Sequence, residues 1–349
     1  MYKPYRRQKS FYDAVYEANI PDNHILKHLE KVIKWSRFKQ YLKKHYYDRG
    51  RDAYNPLMMF KLLVLQFLFN LSDRQLEEQV RDRISFRWFI GLDPMDAPPD
   101  HTAYGRFRDR LGAETIKRLL DDIVQQGREQ GYVLDALSVV DATEIAAKVD
   151  TFRMRERSKR NGAADPTDSS PDPDASYGHK NKNKPFYGYK CHMSMDGDTR
   201  IITRLEASPG DEHDGGFFSA VHDPPAEGVT ADKAYDSGAN FELIEEYGQR
   251  AAIIPRKLRG KKREHIKKRY PSAAEQQYYR KAKRKRPRIE PKFAEMKKFH
   301  GMERARYWGL DKMRVQVFLT GIVVNLKRMV TLMTGTPRWK LAEARCASG

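Results

Sequence analysis

A chain of 349 residues, 40% of them hydrophobic, exceeds one typical domain and has enough apolar surface for a sizeable core, so a wholly disordered protein is excluded and two domains are expected. The formal net charge of +19 is unevenly spread: residues 251–300 carry 19 Lys and Arg against 4 Asp and Glu. Solubility alone does not call for such a concentration, which suits a polyanionic partner instead. Two cysteines, Cys191 and Cys346, lack metal-ligand spacing, which excludes a disulfide framework and suggests a reducing compartment.

Residues 1–130 read as a string of helices. Asp22-Asn23-His24 caps a helix with Ile25, Leu26, Leu29, Val32 and Ile33 on one side. Asn55-Pro56 opens an apolar helix over 57–69, with Asn as cap and Pro at the first helical position. Interrupted by Lys61 and Gln66, it is too short to cross a bilayer, and no membrane association is expected. Ser72 and Gln75 have the spacing of a capping box for a helix running on to Trp88, with Arg74, Arg81, Arg83 and Arg87 facing solvent. Asp100 starts another, carrying Arg106, Arg108 and Arg110 on differing faces. Consecutive short helices with basic outer faces suit a DNA-binding domain, and an ordinary helical packing domain fits each single helix about as well.

From about residue 134 the pattern turns to strands. Leu137 to Ile145 is a β-branched run that delivers Asp141, and residues 150–184 lose apolar pattern and read as a mobile loop. Phe186–Met195 and Arg200–Ala207 alternate like two strands around the turn Asp196-Gly197-Asp198. Val229 leads a further strand to Asp232, Gly238–Tyr247 is a helix and Ala251–Ile254 a short strand. A basic insertion, 256–288, precedes a helix over Phe293–Phe299. A long apolar helix, Met313–Met333, closes a second domain of residues 131–335, and 336–349 read as a flexible tail.

Asp141 and Asp232 each end an apolar run, and Glu290 follows inside basic sequence. Three hard-oxygen donors from distant places are what a two-metal phosphoryl-transfer site needs, and Mg²⁺ suits such donors. Asp236 competes with Asp232 but reads better as turn and cap, and Glu295 and Glu303 compete with Glu290. Lys297, two helical turns beyond Glu290, falls near the same face, and Pro291 requires Glu290 to sit at the start of its helix.

Val140-Asp141-Ala142-Thr143, Tyr187-Gly188-Tyr189-Lys190, Ala231-Asp232-Lys233-Ala234-Tyr235-Asp236-Ser237 and Asn325-Leu326-Lys327-Arg328 follow one another in an order that resembles the DDE transposases of bacterial insertion sequences, in the group numbered four and five. Arg286, Glu290 and Lys297 keep the spacing of that group's third-acid motif, with Lys283 at its tyrosine position, and Asn70–Arg74 with Asp100–Arg108 resemble its helical N-terminal domain.

The resemblance implies a ribonuclease H-like α/β catalytic domain beside an all-α DNA-binding domain, and DNA cleavage and strand transfer at terminal inverted repeats. It also implies two Mg²⁺ ions, replaceable by Mn²⁺, on Asp141, Asp232 and Glu290. Arg286 and Lys297 are expected on phosphates, with Lys190, Arg284 and Arg288 as further DNA contacts. The expected partners are double-stranded DNA, as transposon ends and target, and further copies of the chain, on the cytoplasmic nucleoid. A ribonuclease H-like nuclease that cuts without joining, and a domesticated DNA-binding protein, are the alternatives.

Overall fold

The computed structural model describes residues 11–46, 53–162, 165–181, 184–256 and 262–335, so the expected tail of 336–349 lies outside the described residues. Two compact units form, one of residues 131–318 and one that joins the N-terminal 130 residues to those from Leu319 onward. The long helix Leu310–Thr334 thus divides its residues between the two, where the sequence assigns it wholly to the second domain. It is long and apolar enough to cross a membrane, yet 67% of its most apolar window is buried in the protein, as in a core helix.

In the helical unit, Pro56–Leu68 is buried along its whole length, with Asn55 accepting from Leu57 and Met58 as cap. Even Lys61 is buried, its ammonium paired with Glu30, bonded to the Phe89 carbonyl at 3.0 Å and lying over the rings of Trp35 and Phe89. Ser72 and Gln75 form the expected capping box. The helix it starts ends at Asp82, however, and Arg83 is extended before a second helix, Ile84–Ile90.

Arg87, expected to face solvent, is buried and donates to the carbonyls of Val80, Asp93, Pro94 and Asp96. Four carbonyls left over by a helix end and a turn provide what a charged fork needs in the interior, which no period in the sequence reveals. Arg108 is also buried, on Asp73 at 2.6 Å and Gln66 at 2.9 Å. Two of the helical unit's arginines are therefore structural.

The other unit is built on one mixed sheet of six strands: β1 (Ser138–Ala146), β2 (Ser176–Asn181), β3 (Lys184–Asp196), β4 (Ile202–Pro209), β5 (Gly228–Ala231) and β6 (Arg250–Ile253). β1 is central, antiparallel to β3 on one side and parallel to β5 on the other, and β5 continues parallel to β6. The far edge of the long β3 is shared, β2 pairing with its first half and β4 with its second. The order β4-β3-β1-β5-β6, an antiparallel meander followed by two parallel strands, is the ribonuclease H-like arrangement. Parallel strands need a crossover, and helix Gly238–Glu246, capped by Ser237, supplies it between β5 and β6.

Two segments correct the sequence reading. Within 150–184, Thr151–Asn161 is a helix with Asp150 accepting from Phe152 and Arg153 at its start and Gly162 left-handed at its end, and β2 is a strand. The helix buries only Met154 and Ser158, so it carries no apolar period; caps and good helix formers sustain it. In the basic stretch, residues 257–261 lie outside the described ones, and the remainder holds two helices, Lys262–Arg269 and Ala273–Lys285. The second starts on a Ser272/Glu275 capping box and buries Tyr279 and Ala282 as it packs against β5 and β6. Tyr270 stacks on Tyr279 at 4.8 Å and donates to the Ile253 carbonyl at 2.7 Å, tying the basic helices to β6.

Gly188 pairs with Ala146 where β1 and β3 meet, with φ at 155°. A Cβ there would stand 2.1 Å from the Ile145 carbonyl oxygen and 2.6 Å from the Ala147 nitrogen, both backbone atoms that cannot swing aside. Gly188→Ala is expected to cost about 3 kcal/mol or more by forcing these strands apart. A denaturation midpoint equal to that of the unaltered protein would disprove this.

Candidate active site

β1 and β5 run side by side and position the two aspartates the sequence singles out: Val140 is aligned with Ala231, so Asp141, within β1, and Asp232, just after β5, stand at the same level. Glu290 is the first residue of helix Glu290–His300, with Pro291 in its first turn, where a missing N–H costs nothing. The short 3₁₀ turn Arg286–Ile289 precedes it and carries Arg286.

The Arg286 guanidinium stands among all three acids. It bonds Asp141 at 3.0 Å and lies 3.8 Å from a carboxylate oxygen of Asp232 and 3.8 Å from one of Glu290. Residues separated by up to 149 positions are thereby gathered around one cation. Asp141 is the most enclosed of the three, its side chain 19% exposed against 37% for Asp232 and 66% for Glu290. Burial pushes its carboxyl up to about 6, against the pull of Arg286 and the Ala142 N–H, and the charge of Asp232 adds to the rise.

Asp236 is engaged elsewhere, pairing with Arg269 at 2.6 Å and accepting from the Arg256 N–H at 2.7 Å. Glu295 pairs with the buried Lys292 at 3.2 Å. Both therefore hold local structure.

A cavity of about 490 Å³ opens beside Asp141. Helix Glu290–His300 lines one side with Glu290, Phe293, Ala294 and Lys297, positions that repeat along one face. Lys297, expected on a phosphate, and Lys190, expected as a further DNA contact, enter this cavity as members of ion pairs: Lys297 with Glu144 at 3.0 Å, Lys190 with Asp214 at 2.8 Å. Glu144 and Asp214 were missed by the sequence reading. Glu144 lies three residues after Asp141 in the same strand, and Asp214 opens the short turn Asp214–Phe217. The one signal available was for Glu144, an acid in the strand that carries Asp141; nothing in the sequence tied Asp214 to the centre.

Arg284 is exposed and forms no ion pair among the described residues. Arg288 instead reaches the β3–β4 turn, donating to the Gly197 carbonyl at 2.8 Å with Asp198 at 3.3 Å, and Lys285 holds Asp198 at 2.7 Å. Those two cations tether the hairpin to the turn that carries Arg286.

Residues 134–326, more than half the chain, match the family described as Transposase DDE domain, and residues 14–110 match Transposase domain (DUF772). The chain belongs to the DDE transposases, of the architecture shared by insertion-sequence groups four and five: it is an enzyme that cleaves and transfers DNA strands, and DNA is its partner. Among solved structures, a piggyBac transposase synaptic complex with hairpin DNA, seen by cryo-electron microscopy, is similar over 95% of this chain and 80% of that one, at 12% identity and a TM-score of 0.45.

DDE transposases work with divalent metal ions. Among the described residues no three Asp, Glu, His or Cys are already drawn together around a metal position; the three acids converge on Arg286 instead. The donors nonetheless fit the group. They are hard carboxylate oxygens, and Asp141, whose ionisation is resisted by burial, is the kind of ligand a dication makes favourable.

Proposed function

We propose that this protein is the transposase of a bacterial insertion sequence, acting in the cytoplasm on the nucleoid and cutting and joining DNA at terminal inverted repeats with Mg²⁺. The observation that carries the reading is the convergence of Asp141, Asp232 and Glu290 on the single Arg286 guanidinium. Two Mg²⁺ ions, or Mn²⁺ in their place, would be held by Asp141, Asp232 and Glu290. When bound they activate the attacking oxygen and stabilise the leaving one.

The protein's own groups position the DNA. Lys190 and Lys297 exchange their carboxylate partners for phosphate oxygens at the cavity, and Arg286 turns from Asp141 to the backbone once a metal has replaced it. Arg284, on the basic helix Ala273–Lys285, contacts the duplex outside the acid centre. Arg288 acts at one remove by holding the hairpin. Several copies of the chain assemble on the two ends, so that cleavage and joining are coordinated.

The test is a cleavage and strand-transfer assay on DNA that carries the element's own ends, with Mg²⁺ or with EDTA. Metal-dependent cleaved and joined products are expected, and Glu290→Gln should remove them by about a hundredfold or more while leaving end binding in place. Undiminished cutting by that variant, or cutting in EDTA, would refute the assignment.

A further inference from the structure

Tyr235 lies in the 3₁₀ turn Lys233–Tyr235 directly after Asp232, and its side chain is 1% exposed. The ring belongs to the apolar cluster formed by Val140, Ala231, Val229 and Phe218, meeting Phe218 nearly edge-on at 6.1 Å. For that packing a phenylalanine would serve. The hydroxyl is buried and has no hydrogen-bond partner among the described residues.

A buried hydroxyl with no partner costs about 1–3 kcal/mol, so a purely structural role leaves it unexplained. Val140 and Ala231, in the same cluster as the ring, directly precede Asp141 and Asp232, and burial first, then the charges of Asp141, Asp214 and Asp232, push the phenol well above its ordinary value. Tyr235 therefore stays a neutral O–H donor across the working pH range, in the turn that directly follows Asp232.

We propose that Tyr235 is a positioning residue of the acid centre, whose hydroxyl donates to Asp232, or to the hydration shell of the cation that Asp232 holds, once a divalent cation has taken Arg286's place. This rests on the metal-binding part of the function proposed above. A donor in the outer shell orients a ligand and strengthens its hold, and removing one weakens metal binding by about tenfold or more.

The variant is Tyr235→Phe, which keeps the ring and removes the idle hydroxyl. Without metal it is expected to melt at or above the temperature of the unaltered protein. Calorimetric titration of the DNA-free protein with Mn²⁺ should show about tenfold weaker binding, and cleavage at limiting metal should fall more than at saturating metal. Unchanged Mn²⁺ affinity overturns the proposal, as does a loss of stability in the absence of metal with the metal dependence intact. If the unaltered protein binds Mn²⁺ but does not cut DNA, the transposase reading fails while the two Mn²⁺ affinities still decide the role of Tyr235. If it binds no Mn²⁺, both fail.

Discussion

Asp141→Asn is expected to abolish strand cleavage and, at pH 8 without divalent ions, to raise the melting temperature. The first effect follows from removing the most enclosed of the three proposed metal ligands: a loss of several kcal/mol of transition-state stabilisation is about a thousandfold or more in rate. The second follows from what the carboxylate costs. Its folded-state value is about 6 against an ordinary 3.8, so the native protein holds this proton more tightly than the unfolded chain does. Stability is then greatest below pH 4 and declines as the pH rises through 6.

At about 1.4 kcal/mol per pH unit the carboxylate costs about 3 kcal/mol at pH 8, and the gain in the variant is smaller than that because Arg286 loses its nearest partner. A gain of a few degrees at pH 8 that vanishes near pH 4 is the expected pattern, read from thermal melts of the two proteins side by side. Mg²⁺ should narrow the gap by stabilising only the unaltered chain. A variant that is no more stable at pH 8 would show that Asp141 is not strained in the metal-free fold.

Arg286→Ala should act in the opposite sense. It leaves Asp141, Asp232 and Glu290 facing one another without the cation that all three share. Breaking a buried pair from one side costs about 3–5 kcal/mol, and with side chains 17% and 19% exposed the expected loss at pH 8 is about 2–3 kcal/mol. Near pH 5 the loss should shrink, since Asp141 is then protonated and needs less compensation. Millimolar Mg²⁺ should restore part of the stability by supplying positive charge where the guanidinium stood. Cleavage should remain impaired all the same, because a metal cannot take over the contact to DNA proposed for Arg286. Melts at the two pH values, with and without Mg²⁺, decide the matter; a loss that metal does not relieve would place Arg286 in a purely structural role.

Opposed responses from two residues in direct contact would separate a working site from a structural ion pair. In an ordinary pair both substitutions destabilise. Here the acid is held at a cost to the fold, and the arginine partly offsets that cost.

Much of this molecule was legible in its residues. The β-branched run Leu137–Ile145, the alternation in Phe186–Met195 and Arg200–Ala207, and the short apolar runs ending at Asp232 and Ile254 foretold five of the six strands. Asn55-Pro56 and Ser72 with Gln75 marked helix starts through local hydrogen bonds that need no distant partner. Pro291 placed Glu290 at a helix start for the same reason. Such features are written within a few residues, where spacing alone determines which groups meet.

What spacing could not reach was decided by the tertiary structure. The helix Thr151–Asn161 and strand β2 bury little and have no period to detect, so their order depends on caps and on the free edge of β3. Arg87 and Arg108 look like surface charge until the fold brings carbonyls and Asp73 to them. The identity of Lys190 and Lys297 says nothing of Asp214 and Glu144, with which the fold pairs them. The sequence by itself determined which acids were available and that they stand on a strand, just after a strand and at a helix start. Only the folded chain determined that one guanidinium would lie between them, because the energy of a charge depends on its neighbours in space and on the water removed from around it.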